Sequence, residues 1–348
     1  MEAMEICLFR SFARNLCLDI QQSEFTDDPE LSEDAKFVCT VQLPDEQNHT
    51  LRPFTYIGVA DGVGSWREYG VDPRQFSRRL MQECENILLE ATGGEAESTG
   101  FRQVISPATI LAQAYERVKA ANIIGSSTAC VALFDGLRHQ LHFSNLGDCG
   151  LIVLRHIDSD VAGALRRDRS TPRTERKSDL KLTFVSQQQL RKFNHPYQLG
   201  WTGEELPDDE ETSFRDARDS CTSSIHVRRG DIVIMATDGL FDNVDMDDLL
   251  QICLEWETRN GFIKASGDML ARERRWSRGE SLAHVSVTRI QELAETLVQR
   301  ARSLSVDPHT DSPFAILAKE NDIMWSGGMP DDCTCSTLYP RECVPGKA

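Results

Sequence analysis

The sequence predicts an α+β domain in which helices cover a two-sheet sandwich, and three observations carry that expectation. The inferred elements run strand, strand, two helices, several strands, helices, strand, without the regular alternation of a doubly wound parallel sheet. Asp135-Gly136 lies between two apolar runs, the signature of an antiparallel hairpin. No Pro-, Gly- or Ser-rich linker divides the 348 residues, so one domain with loop insertions is expected.

The elements follow in order. Residues 1–30 are expected to be an N-terminal extension, poorly ordered or targeting, ending in the acidic, turn-rich stretch 24–30. Arg10 and Arg14 among apolar residues suggest a transit peptide, whereas Glu2 and Glu5 oppose it. A single domain is expected over 31–342, beginning with strands at 36–43 and 54–60. Asp72-Pro73 and Ser106-Pro107 are helix starts, a capping residue with proline at the first helical position. Phe76, Leu80, Cys84, Ile87 and Leu88 form the apolar stripe of the first helix. Ile110, Leu111, Ala114, Tyr115 and Val118 form that of the second. Residues 93–100 read as a loop between these helices. Strands are expected at 127–134, 137–145 and 151–155, then at 182–185, 224–228 and 231–236. Charged insertions are expected at 155–181 and 257–280, because few apolar residues fall there. Asp245 caps a helix through Leu254, 282–304 reads as an amphipathic helix, and 334–338 is the closing strand.

A net charge of −17 with a sequence pI near 4.9 argues against nucleic acid or an anionic membrane as partner. Apolar runs such as 232–236 are far shorter than the roughly 20 residues of a membrane helix. The 11 cysteines form no disulfide framework, and a reducing, intracellular setting is expected. Cys333 and Cys335 would share one face of a strand as core thiols.

The informative pattern is aspartate at strand ends. Asp61-Gly62 and Asp238-Gly239 each follow an apolar strand, and Asp148 follows another. Asp331-Asp332 precedes the last strand and Glu33-Asp34 the first. Asp-Gly is also an ordinary turn signal. Five acidic sites from distant parts of the chain, however, converge only if something cancels their repulsion. Divalent cations do so, and ligands that are all oxygen point to Mg²⁺ or Mn²⁺ rather than zinc.

These motifs, together with Gly125-Ser126-Ser127-Thr128-Ala129, Asn145-Leu146-Gly147-Asp148 and Thr237-Asp238-Gly239-Leu240-Phe241-Asp242, resemble the metal-dependent protein phosphatases of type 2C. Residues 62–73, 193–199 and 312–315 resemble more narrowly a branch that contains a mitochondrial phosphatase. The resemblance implies a four-layer sandwich, two mainly antiparallel sheets flanked by helices. It implies a soluble protein serine/threonine phosphatase, expected to be a monomer. Water or hydroxide bridging two Mg²⁺ or Mn²⁺ ions would attack phosphoserine or phosphothreonine in a protein substrate. By the same resemblance Asp61 bridges the metals and the Gly62 carbonyl assists. Asp238 and Asp331 bind the first ion and Glu33 the second. Asp34 orients that shell, and Asp148, Asp238 and Asp242 match a third site. A mitochondrial location follows from the branch alone, and the cytoplasm or another organelle fits the sequence equally.

Two positions depart from the family pattern. Val63 stands where many members have a histidine proposed to protonate the leaving group, and residues 24–32 lack the phosphate-binding arginine. Arg67 is a candidate substitute, or an ordinary surface arginine. These departures motivate the alternative of a weak or inactive pseudophosphatase that binds phosphoproteins. A thiol mechanism is disfavoured. Cys149 to Arg155, Cys253 to Arg259 and Cys335 to Arg341 match Cys-x5-Arg, but none encloses a glycine-rich anion-binding loop.

Overall fold

The computed structural model describes residues 16–25, 32–44, 51–93, 104–158, 178–204, 213–262 and 287–342. Its first strand, β1 (Leu16–Phe25), lies within the stretch 1–30 that was expected to be poorly ordered or targeting, and pairs along its length with the final strand. Polar residues crowd its second half, so the alternating pattern is weak; pairing with an existing strand supplies what the pattern does not. Residues 1–15 and 26–30 lie outside the described ones.

β2 (Asp34–Pro44) and β3 (Leu51–Gly62) form an antiparallel pair, longer than predicted at both ends. α1 (Arg74–Gly93) starts where the Asp72 carboxylate accepts the Arg74 N–H at 3.1 Å. α2 (Pro107–Ala120) is capped by the Ser106 hydroxyl, which accepts from the Thr109 N–H. Most of the predicted 93–100 loop lies outside the described residues.

β4 (Gly125–Asp135) and β5 (Gln140–Leu146) are the predicted hairpin, but Asp135 stands opposite Gln140, so the loop is 136–139 rather than two residues. The Asp135 carboxylate organises it by accepting the N–H groups of Leu137 and Arg138, and His139 closes it at φ 55°. β6 (Gly150–Asp158) and β7 (Ser178–Val185) encroach on the predicted 155–181 insertion, whose middle lies outside the described residues.

Three short strands follow that the sequence did not announce: β8 (Leu190–Lys192), β9 (His195–Pro196) and β10 (Leu199–Trp201). Next come β11 (Cys221–His226), slightly earlier than predicted, and β12 (Ile232–Ala236). α3 (Asp238–Phe241) is a single turn. α4 (Met246–Arg259), capped by Asp245, runs into the predicted 257–280 insertion. Glu257 is wholly buried there, paired with His156 of β6, which is why a charged residue extends the helix instead of ending it. α5 (Val287–Ser305), α6 (Pro313–Glu320) and β13 (Cys333–Glu342) complete the chain, with 263–286 outside the described residues.

Two large sheets result, ordered β1-β13-β12-β6-β7 and β11-β5-β4-β3-β2, with β10 pairing β4 next to where β5 ends and β8 and β9 forming a separate two-stranded pair. Their neighbours are antiparallel. Continuous apolar strands arise because the central strands are covered on both faces. In β4, Ala129, Val131 and Leu133 join the core under α1 and α2, while Cys130, Ala132 and Phe134 join the core between the sheets. In β12, Val233 and Met235 face that middle core, and Ile232, Ile234 and Ala236 face the core shared with α4 and α5. The expected four-layer sandwich is the observed one. Cys333 and Cys335 are buried together on one face of β13, as their spacing predicted.

Candidate active site

Antiparallel pairing places the end of one strand beside the start of the next, and this gathers the strand-end carboxylates at one end of the sandwich. Asp61 stands opposite Asp34 across β2–β3 and opposite Thr128 across β3–β4. In the other sheet Ala236 stands opposite Gly150 and Cys335. Asp238, Asp148 and Asp331 therefore leave that sheet at the same end.

Their electrostatics record the crowding. Asp61 is raised well above the ordinary carboxylate range by burial first, then by Asp238, Asp34, Asp331 and Asp148. Asp34, Asp148, Asp242 and Asp331 are raised likewise, burial foremost in each, with Asp238 among the repelling charges of all four. Asp331 shares this shift although the residue is exposed. Burial pushes Asp238 up to about 6 against the opposing effect of the Gly239 N–H. The buried Oδ1 atoms of Asp34, Asp148 and Asp238 have no hydrogen-bond partner. Each such atom costs about 1–3 kcal/mol, and more when charged. Among the described residues no three of these side chains stand close enough together to hold a metal ion as they are placed.

Several contacts position this cluster. The Thr237 hydroxyl donates to Asp34 Oδ2 at 2.9 Å and accepts the Thr334 N–H at 3.0 Å, tying β2, β12 and β13 together. Asp332 Oδ2 accepts the Glu33 N–H at 2.8 Å, and the Glu33 carbonyl accepts from Gly62 N–H and the Ser77 hydroxyl. Arg67 meets Glu33 Oε1 at 2.5 Å. The Glu33 carboxyl is nevertheless raised, since burial outweighs that guanidinium. Glycine is required twice by close approach. A Cβ on Gly62 would lie 2.7 Å from the Pro73 carbonyl oxygen, and one on Gly239 would strike that of Asp332. Sequence reasoning missed Thr237, Asp332 and the Arg67–Glu33 pair as supports. Each acts across a long span of chain, and only the quoted Thr-Asp-Gly and Asp-Asp strings pointed there.

Val63, next to Gly62, is half-buried, and its N–H donates to the Ser126 carbonyl at 3.0 Å. Of the Cys-x5-Arg matches, Cys149 is buried and raised well above the usual thiol range, first by burial, with Asp61 and Asp148 adding to it. Cys253 lies inside α4, and burial pushes the Cys335 thiol up to about 12. Neither is an anion-binding loop.

No protein-family model matches the chain. The Xenopus laevis protein phosphatase PTC7 homolog is 34% identical over 280 residues, covering 80% of this chain and 74% of that protein. The Homo sapiens protein of the same name is 33% identical over 281 residues, covering 80% and 72%. The chain belongs to the type 2C protein phosphatase family. As a member it is a protein serine/threonine phosphatase. The X-ray structure of the photosystem II phosphatase PBCP shares the fold at a TM-score of 0.59 and 22% identity, over 93% of this chain and 98% of that one. Among the described residues no helix is long and apolar enough to cross a membrane.

Proposed function

We propose that the chain hydrolyses phosphoserine and phosphothreonine in proteins with two bound Mg²⁺ or Mn²⁺ ions, held by Glu33, Asp61, the Gly62 carbonyl, Asp238 and Asp331. The observation that carries this reading is the trio of buried, unpartnered carboxylate oxygens on Asp34, Asp148 and Asp238. A donor set made only of oxygens, most of them mutually repelling, suits hard divalent cations. When bound, such ions lower the pKa of water and neutralise a phosphate dianion. Asp61, at the end of β3 and in the field of four other carboxylates, is the natural bridge between them. Asp34 is a positioning residue whose tie to Thr237 holds the start of α3 against β2. Asp148 and Asp242, with Asp238, would serve a third ion. Gly239 lets Asp238 and the Asp331-Asp332 segment approach, and Arg67 fixes the Glu33 carboxylate. No protein nucleophile is required.

The test is turnover of p-nitrophenyl phosphate and of a phosphothreonine peptide with Mn²⁺ or Mg²⁺, against EDTA, with and without iodoacetamide. Metal-dependent, alkylation-insensitive release of phosphate is expected. Turnover in EDTA that iodoacetamide abolishes would replace this reading with a thiol mechanism. Val63 favours one rival, the phosphoprotein-binding scaffold. Its signature is Mn²⁺-dependent retention of the peptide with no phosphate released.

A further inference from the structure

A cleft of about 360 Å³ adjoins the carboxylate cluster, and its wall begins at Val63, the residue after Gly62. Its other principal walls are Trp66, Tyr69 and Phe214, with Ser126 and Gln198 at its polar side. That volume is at the small end of ligand pockets, the size for one large side chain and some backbone rather than a cofactor. None of its lining residues is charged, in a chain of net charge −17.

The aromatic walls are preorganised. Trp66 and Phe214 are nearly parallel at 11°, with centroids 6.4 Å apart, and Tyr69 meets Trp66 edge-on at 6.1 Å. Tyr69 is 79% exposed, although a tyrosine ring this size usually finds cover. The polar side is oriented too. Trp66 Nε1 donates to Ser126 Oγ at 2.6 Å, so the Ser126 hydrogen is directed to Gln198 Oε1 at 2.7 Å. That fixes the carboxamide with its NH₂ group away from Ser126, a donor suited to a peptide carbonyl.

We propose that this cleft is a substrate subsite: it takes an uncharged aromatic or large aliphatic side chain flanking the phosphorylated residue of an extended polypeptide. The inference rests on the phosphatase reading above and adds to it the substrate's local chemistry. Continuity decides the occupant. Val63 belongs both to the cleft and to the loop that leaves the carboxylate cluster, so a chain with its phosphate at that cluster can lay a flanking residue against the aromatic walls.

The experiment scans phosphothreonine peptides in which each position from three before to three after the phosphoresidue is Phe, Leu, Ala or Glu, with p-nitrophenyl phosphate as a substrate lacking flanks. At one position Phe or Leu should raise kcat/KM about tenfold over Ala, and Glu should not. Tyr69→Ala should remove about three- to tenfold of that preference while changing p-nitrophenyl phosphate and the Ala peptide less than twofold. Tyr69 is exposed, so its truncation opens no cavity in the core, and thermal melting checks the fold. The coupling between Tyr69 and the flanking residue is then read as a double-mutant cycle. A flat scan within twofold, or a preference that Tyr69→Ala and Trp66→Ala leave intact in folded protein, would overturn the subsite alone. No turnover of p-nitrophenyl phosphate with either metal would instead sink the phosphatase reading and the subsite with it.

Discussion

Asp238→Asn should stabilise the metal-free protein while abolishing activity, a combination that separates a charged binding site from a structural carboxylate. Asp238 raises the carboxyls of Asp34, Asp61, Asp148, Asp242 and Asp331, and burial takes its own from 3.8 to about 6. A rise from 3.8 to about 6 corresponds to about 3 kcal/mol. Between those two pH values the folded state binds more protons than the unfolded state. Stability is therefore greatest below 3.8, falls as pH rises through the window, and carries the whole penalty above about 6. Asparagine is uncharged at every pH and keeps an oxygen for the Gly239 N–H. In EDTA at pH 7.5 the variant should gain about 1–3 kcal/mol, a Tm rise of a few degrees, and the gain should shrink towards pH 4.5. Saturating Mn²⁺ should invert the order. Ligand at about 100 times Kd contributes about 2.7 kcal/mol per site to the wild type, and the variant forfeits most of it. Calorimetric melts of both proteins, in EDTA from pH 4.5 to 8 and in Mn²⁺, supply the comparison. If Asp238→Asn melts below wild type in EDTA at pH 7.5, the carboxylate cluster is no net cost to the fold and the reasoning is refuted.

Asp61→Asn should lower kcat/KM by orders of magnitude, and Asp242→Asn by less, with Mn²⁺ titration calorimetry following the same order; wild-type turnover in Asp61→Asn would exclude it as a bridge. Arg52→Ala should cost about 1–3 kcal/mol in urea melts, because it takes the guanidinium fork from the buried Asp135 carboxylate and leaves it only the Arg138 side chain and the Leu137 and Arg138 N–H groups. Arg52 also stacks on Phe54, 4.2 Å from the ring centroid, so Arg52→Met with Asp135→Asn should recover part of the loss. Val63→His places an imidazole on an open wall of the cleft, and should speed phosphopeptides by up to about tenfold more than p-nitrophenyl phosphate, whose leaving group needs no proton. An equal change on both substrates would show that leaving-group protonation is not limiting there.

The core was legible because apolar alternation and capping residues are local signals. Phe76 to Leu88 and Ile110 to Val118 announced two helices, and strands as apolar as 127–134 could only be buried on both faces. The elements that escaped lack a local signal. β1 is polar in its second half and is set by β13, more than 300 residues later. β8, β9 and β10 are two or three residues long, too short for a period to register. Glu257 looked like the start of a solvated loop because its hydrogen-bond partner, His156, lies on another strand. The candidate ligands were legible for the opposite reason, since Asp-Gly at a strand end is a short string with a steric demand. What holds them was not. Thr237 reaches Asp34 across 203 positions and Asp332 reaches Glu33 across 299, distances over which a sequence carries no pairwise signal.

The architecture also explains why Asp61 and Asp238 are each followed by glycine. A carboxylate at a strand end is directed by the sheet, but a second sheet must deliver its own carboxylates to the same point. The backbones that carry them therefore approach more closely than a side chain permits. At Gly62 the obstacles are the carbonyls of Glu33 and Pro73, and at Gly239 it is the carbonyl of Asp332. Each glycine admits the very segment that brings the next acidic residue: Gly62 admits Glu33, and Gly239 admits Asp331 and Asp332. The repulsion among these charges is thus built in by backbone packing and cannot relax by moving a single side chain. A site assembled in this way is destabilising when its charges are alone and strongly favourable to a divalent cation, which is why stability in EDTA and activity with Mn²⁺ should move in opposite directions across the aspartate variants.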